Sequence, residues 1–350
     1  MQTLADTASG TVFGMPAYVW LAFIGLVLAL MVVDLGLLHR KPHEIGVKES
    51  IGLSLFFLTI GLGFSLIVGA IYFHQDPARI LDPHLVAGMT PFSRGWHAGE
   101  LYLTGYLIEQ SLSLDNIFIM SMVFAYFQIP RQYQHAVLFW GVLGVIVMRG
   151  GMIIAGAALL EHLHWVLYLF AAFLVYTGVR MLFEGDEEHD VGSNPLARTL
   201  RKSLRVTDEL HGGRFIIKLP DPASGKRVRF VTRLLLCLIS IEIADLIFAI
   251  DSVPAIFSIT QEPFIVYTSN IFAILGLRSM YFALSAVVHR FQYLKYSLAL
   301  VLVLIGGEII AEPFVGKLPT EFSLLATVAL LAGGVLYSLW QTKREEQKAA

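Results

Sequence analysis

Two of the long apolar stretches in this chain carry carboxylates in their middles: YLIEQSLSLDNIFIM, Tyr106 to Met120, and LISIEIADLIFAIDSVPAIF, Leu238 to Phe257. An acid at mid-bilayer costs roughly 2.5–3.5 kcal/mol on insertion scales. Left uncompensated, Glu109, Asp115, Glu242, Asp245 and Asp251 would together cost on the order of 12–17 kcal/mol. Such residues persist only where they face a partner, water or an ion. The reading that follows is a membrane protein with an acidic interior, and function is to be sought there.

Composition supports this. The chain is 56% hydrophobic and 15% charged, whereas soluble domains are about 25% charged. Its apolar runs exceed the ~18 residues that mark a spanning helix. The single cysteine, Cys237, excludes a disulfide framework and a cysteine-rich metal site. The first apolar run has no basic residue before it and His39, Arg40 and Lys41 after it, so it reads as a retained spanning helix rather than a cleaved signal.

The expected fold is an all-α polytopic membrane protein of about nine spans: 17–38, 51–73, 101–127, 135–158, 164–183, 231–257, 264–288, 297–312 and 321–340. Basic residues orient the set. Arg40, Lys41 and Lys48, the loop 184–230 with Arg198, Arg201, Lys202 and others, Arg290 and Lys295, and the tail with Lys343, Arg344 and Lys348 all fall on one side when spans alternate. By the positive-inside rule that side is cytoplasmic and the N-terminus is outside. The loop 184–230 contains RFIIKLPDPASGKRVRF, which reads as a small hairpin turning near Pro222 to Gly225.

The chain also repeats itself. DNIFIMS (Asp115 to Ser121) aligns with DLIFAID (Asp245 to Asp251), Arg149 answers Arg278, and LVYTGVRML (Leu174 to Leu182) answers LVLIGGEII (Leu302 to Ile310). Acid helix, arginine helix and glycine helix recur in that order. Three spans per unit place the second unit upside down relative to the first, the architecture of secondary transporters with a site at the repeat interface. The organisation expected is two N-terminal spans with an outer loop (1–100), a first three-helix repeat (101–184), a cytoplasmic loop (185–230), a second inverted repeat (231–312), and a last span with a cytoplasmic tail (313–350).

Carboxylate, amide and carbonyl oxygens are hard ligands suited to Mn²⁺, Mg²⁺ or Ca²⁺. Candidate ligands are Glu109, Asp115, Asn116, Glu242, Asp245 and Asp251, with Arg149 and Arg278 as charge partners. Neutral donors nearby are Ser113, Ser252 and Asn270; Met120 offers a thioether, and Glu308 reads either as a sixth site acid or as an outer-interface residue. Asp115 lies about 120° around a helix from Glu109, so one straight helix cannot aim all its acids at one point. Pro254 is expected to kink or unwind its span and free carbonyls near Asp251. Metal entry among closely placed carboxyls would displace their protons, a physical route to metal–proton exchange.

GYLIEQSLSLDNIFI, EIADLIFAIDSVPAIF and TSNIFAILGLRSMYF resemble the TerC/Alx family of bacterial integral membrane proteins, over about residues 20–340. The likeness is strongest to the Alx branch, which shares the FAIDSVPAIF pattern and a long loop between the halves. The resemblance implies manganese efflux, with Glu109, Asp115, Asn116, Glu242, Asp245 and Asp251 on the ion path. The chain departs from the family pattern at Glu308, where a basic residue is common, and that departure bears on coupling. The functional expectation is a non-enzymatic exporter of Mn²⁺, exchanging it for protons, with no tightly bound cofactor and no nucleic-acid partner. The alternative is an assembly or metalation factor that acts with the secretion machinery and exported metalloenzymes, docking a protein partner through loop 184–230. An intramembrane aspartyl protease is disfavoured: no GxGD motif is present, and the acids outnumber a catalytic dyad.

Overall fold

A computed structural model describes residues 10–33, 47–162, 165–183, 206–207, 210–220, 227–284, 294–316 and 320–349. Among these residues run nine α-helices: α1 (Ala17–Val33), α2 (Val47–His74), α3 (Pro91–Tyr126), α4 (Arg131–His162), α5 (Val166–Phe183), α6 (Arg233–Ile259), α7 (Pro263–Leu284), α8 (Leu294–Val315) and α9 (Thr320–Ala349). Five of them, α2, α4, α5, α8 and α9, are long and apolar enough to cross a membrane. The chain is thus a mostly helical, multi-pass membrane protein. α3 and α6 are the helices that carry the interior acids, and α6 alone holds Glu242, Asp245 and Asp251.

α7 is the hub. Almost every residue from Pro263 to Ser279 is buried, and a helix apolar all round belongs inside a bundle. It packs on α2, α3 and α4. On its N-terminal half, Phe264, Tyr267 and Phe272 interlock with Trp20 and Phe23 of α1 and with Phe64 of α2. Large apolar side chains face outward elsewhere, among them Leu21, Leu66, Phe314 and Leu325, as lipid contact requires.

Two helix ends are closed by side chains, which satisfy backbone groups the helix leaves over. Thr90 caps α3, its hydroxyl accepting from the Ser93 N–H. Arg94, in the next turn of α3, is buried and donates to the carbonyls of Tyr72, Phe73 and Gln75. Its charge thereby meets the negative end of the α2 dipole. A two-residue turn between β1 (Thr11–Val12) and β2 (Met15–Pro16) leads into α1. Phe13 and Gly14 both have positive φ, as a type I′ turn demands. A side chain at Gly14 would strike the Arg79 carbonyl oxygen.

On the side assigned to the cytoplasm, β4 (Ile216–Pro220) and β5 (Arg227–Thr232) pair antiparallel, with Ile216 opposite Val231 and Pro220 opposite Arg227. β3 (Val206–Thr207) adds to β5 in parallel. The two expected hairpin strands are therefore present; the turn, 221–226, lies outside the described residues. The unwinding expected at Pro254 is not seen. α6 runs through Pro254 as a continuous helix. Pro254 removes only the hydrogen bond to the residue four before it, and the turns on either side stay in place.

The packing of α5 against α8 is reciprocal. A Cβ on Gly178 would lie 2.6 Å from the Ala299 carbonyl oxygen, 2.8 Å from Val303 Cγ2 and 3.2 Å from Leu302 Cβ. A Cβ on Gly306 would lie 2.6 Å from the Ala171 carbonyl oxygen, 2.8 Å from Val175 Cγ2 and 3.2 Å from Leu174 Cβ. The two sets correspond residue by residue: 171 with 299, 174 with 302, 175 with 303, and 178 with 306. Small residues that let backbones touch are a principal means of helix association in lipid.

The turn between α6 and α7 is polar yet closed. Glu262 is buried, accepting from the Tyr72 hydroxyl at 2.8 Å and from the Leu81 and Asp82 N–H groups. Asp82 in turn accepts from the Thr260 hydroxyl and the Gln261 N–H. Together these two acids clamp residues 81–82 to the α6–α7 turn. Burial pushes the Glu262 carboxyl up to about 7, against the opposing pull of its hydrogen bonds.

Two expectations follow. Gly306→Val should destabilise the detergent-solubilised protein by about 1–3 kcal/mol through overpacking, while Gly307→Val, with open space around it, should not; thermal unfolding compares them. For Glu262 the folded carboxyl holds its proton more tightly than the ordinary carboxyl near 4.5. Its contribution to stability is therefore full below about 4.5 and lost as pH rises through about 7. Across that window wild type should lose unfolding temperature relative to Glu262→Gln, and the difference should be flat above it.

Candidate functional site

The site forms where α3, α4, α6 and α7 meet. Glu109 of α3, Arg149 of α4, Asp245 of α6 and Asn270 of α7 are all buried. The Arg149 guanidinium is the centre. Its Nη1 lies 2.6 Å from Glu109 Oε1. The same nitrogen donates to Ser252 Oγ at 3.0 Å and to Asn270 Oδ1 at 2.5 Å. Nε and Nη2 donate side by side to the two oxygens of Asp245, at 3.3 and 3.2 Å. This is the fork geometry that arginine offers a carboxylate.

Helical spacing explains who arrives. Asp245 and Ser252 are seven residues apart, two turns of α6, and so share a face. Asn116, seven residues beyond Glu109 on α3, donates through Nδ2 to Asp245 Oδ1 at 3.3 Å. Two carboxylates against one guanidinium leave oxygens over. Glu109 Oε2 and Asn116 Oδ1 are buried without a hydrogen-bond partner. A void of about 10 Å³ opens beside Asn116, Asp245 and Met120, on the order of one water molecule's probe volume.

Glu242 lies three residues before Asp245. Its carboxylate presses on α4 at Gly144, where an added Cβ would come within 2.5–2.6 Å of the carboxyl atoms, and it nears Gly141. Both its oxygens are buried and lack a hydrogen-bond partner. The glycine notch is not apparent from the sequence: Gly141 and Gly144 are three residues apart, not at the four-residue spacing of the GxxxG pattern.

The expected ligand set is therefore only partly assembled. Glu109, Asn116, Asp245, Asn270 and Ser252 converge on Arg149 or on one another, and Met120 borders the void. The side chains of Asp115, Ser113 and Asp251 lie outside the described residues. Arg278 is buried elsewhere, its guanidinium 5.9 Å from the centroid of the Phe139 ring. Glu308 accepts from Ser323 at 2.8 Å, between α8 and α9, and is not joined to the Arg149 cluster by hydrogen bond or ion pair. Among the described residues, no three His, Cys, Asp or Glu side chains already form a metal cage. The cluster is organised by a cation that belongs to the protein.

Comparison with known proteins places this geometry in a family. Residues 94–346 match the model of the "Integral membrane protein TerC family". The chain is 38% identical to the "Putative membrane-bound redox modulator Alx" of Escherichia coli over 330 residues, covering 94% of this chain and 96% of that protein. It is 39% identical over 320 residues to an "Uncharacterized membrane protein" of Rickettsia felis, covering 91% and 97%. A Myxococcus xanthus membrane protein is 39% identical over 324 residues, covering 93% and 92%. No solved structure matches.

Removing Arg149 would leave two buried carboxylates facing one another. Breaking a buried pair from one side costs about 3–5 kcal/mol. Arg149→Gln should therefore lower the thermal unfolding midpoint of the metal-free protein sharply, whereas Arg344→Gln, at the exposed end of α9, should leave it unchanged.

Proposed function

The chain belongs to the TerC family of integral membrane proteins, and from that premise we propose that it exports divalent manganese across a bacterial inner membrane in exchange for protons. The observation that carries the proposal is the buried constellation of hard oxygens around Arg149, with Glu109 Oε2 and Asn116 Oδ1 still unpartnered. A buried polar atom without a partner costs about 1–3 kcal/mol. A site built to receive an ion accounts for that cost; a purely structural ion pair does not. Oxygen donors suit manganese, magnesium or calcium better than zinc or copper, and a thioether at the edge favours manganese over magnesium.

Architecture supports a carrier. Nine spans, with the basic loops on the cytoplasmic side, account for the nine described helices and place the N-terminus outside. The reciprocal contacts of Gly178 and Gly306 support two inverted three-helix units, α3–α5 and α6–α8, with α5 and α8 meeting across the pseudo-symmetry axis. In such folds the ion site sits near mid-membrane, between the repeats, where α3 and α6 meet here. Neither reading requires the chain to be an enzyme.

The second reading, an assembly or metalation factor, draws on the β3–β5 sheet, a folded surface outside the bundle on which a partner protein would dock. The name carried by the Escherichia coli relative speaks of redox modulation. A single buried cysteine gives this chain no intrachain dithiol with which to do that directly.

Manganese uptake into inside-out vesicles separates these readings. Wild type should accumulate Mn²⁺, and faster when the vesicle interior is acidified. Asp245→Ala and Asp115→Ala, at equal protein levels, should fall to the background of empty vesicles. Equal uptake in wild type, variants and empty vesicles would reject export and favour the assembly factor. Uptake indifferent to the pH gradient would reject proton exchange alone.

A further inference from the structure

The proposed ion site already holds a cation. Arg149 takes up Glu109, Asp245, Ser252 and Asn270, the groups a hard metal ion would use. A guanidinium does not lose its proton in a protein, so Arg149 cannot make way by neutralising itself. If metal enters, the positive charge has to move, and inside a membrane it has to move to an anion.

One acid is waiting. Both oxygens of Glu242 are buried with no hydrogen-bond partner, and its carboxylate rests in the notch that Gly144 leaves in α4. Gly144 lies five residues before Arg149 on the same helix, about 7.5 Å along its axis. Side chains on a helix lean toward its N-terminus, which shortens that gap for Arg149. On α6, Glu242 and Asp245 are three residues apart, the spacing at which side chains are neighbours, with Cβ atoms about 5–6 Å apart. The guanidinium would thus pass between adjacent carboxylates.

We infer that Arg149 is a resident competitor for the metal site and that Glu242 is its second seat: a divalent cation entering between Glu109 and Asp245 drives the guanidinium onto Glu242, and metal release lets it return. The inference rests on the metal-export reading. Charge supports it. Glu109, Asp245 and Glu242 ionised, with Arg149, total −2, and one divalent ion brings this group to neutrality. A monovalent ion leaves it at −1 in low dielectric, so the exchange selects divalent cations against sodium and potassium.

The test is a double-mutant cycle on the purified full-length protein, reading Mn²⁺ affinity by titration calorimetry for wild type, Arg149→Gln, Glu242→Gln and the double variant. Removing the competitor should tighten Mn²⁺ binding by about tenfold or more, and removing the second seat should weaken it by a similar factor. In the Arg149→Gln background, Glu242→Gln should have no further effect, because no guanidinium then needs a seat. Weakening by Glu242→Gln regardless of Arg149 would make Glu242 a direct ligand and overturn the inference, as would looser binding in Arg149→Gln. No Mn²⁺ binding by wild type would overturn the export reading and this inference with it. Should Arg149→Gln fail to fold, a structure of wild type with saturating Mn²⁺ decides. A guanidinium beside Glu242 supports the exchange, and one still between Glu109 and Asp245 overturns it.

Discussion

A single buried guanidinium ties the bundle together. Arg149 reaches from α4 to Glu109 on α3, to Asp245 and Ser252 on α6, and to Asn270 on α7. Each of those side chains would be costly in the membrane interior without it. The dependence runs both ways, because the guanidinium itself needs all of its acceptors. Four helices are thus held in register by one set of charge-assisted hydrogen bonds, which carry direction as well as energy. Apolar packing in lipid has no comparable way to specify which helix meets which, since the tails of the bilayer are as apolar as leucine.

Around that polar centre, close approach is set by glycine. Gly178 and Gly306 let α5 and α8 touch backbone to side chain, and Gly144 admits the Glu242 carboxylate to the surface of α4. At the bundle end that holds the α6–α7 turn a different device is used. Arg94 closes the end of α2, and the Glu262–Asp82 network joins the loop after α2 to the α6–α7 turn. The centre is secured by charge, the flank by small residues, and that end by hydrogen bonds to backbone. Substitutions at each should fail in different ways.

Much of this was legible in the sequence, for identifiable reasons. Apolar run length marks where helices lie, because bilayer thickness sets a minimum. The acids stand out because hydrocarbon makes them expensive. Arg149 was recognisable as a charge partner, but not as the centre of the cluster. Helical angles place Glu109 and Asp245 on their own helices; they say nothing of how α3 and α6 are rotated against α4. The same limit applies to the burial of Glu262 and Asp82, which depends on how the loop after α2 meets the α6–α7 turn and leaves no mark in local sequence. Pro254 misled in the other direction. A proline rule that predicts a broken helix in isolation is overridden where neighbouring helices hold the turns in place.

A carrier has to cross between its two orientations both loaded and empty, and the empty crossing is the harder electrostatic problem. Unpaired carboxylates in a closed, low-dielectric site repel one another and resist any conformation that excludes water. An arginine that fills the vacated site removes most of that cost without a bound ion. It also favours a divalent cargo, since sodium or potassium leaves one negative charge uncompensated in low dielectric where a divalent ion leaves none. The counter-charge has to be tethered next to the site yet have somewhere to go when cargo arrives, and a second carboxylate in a glycine notch one helical turn away meets that requirement. On this view the unsatisfied oxygens of Glu242 are not a packing fault. They are the vacancy that allows the cation at the centre of the fold to be exchanged without dismantling the bundle it holds together.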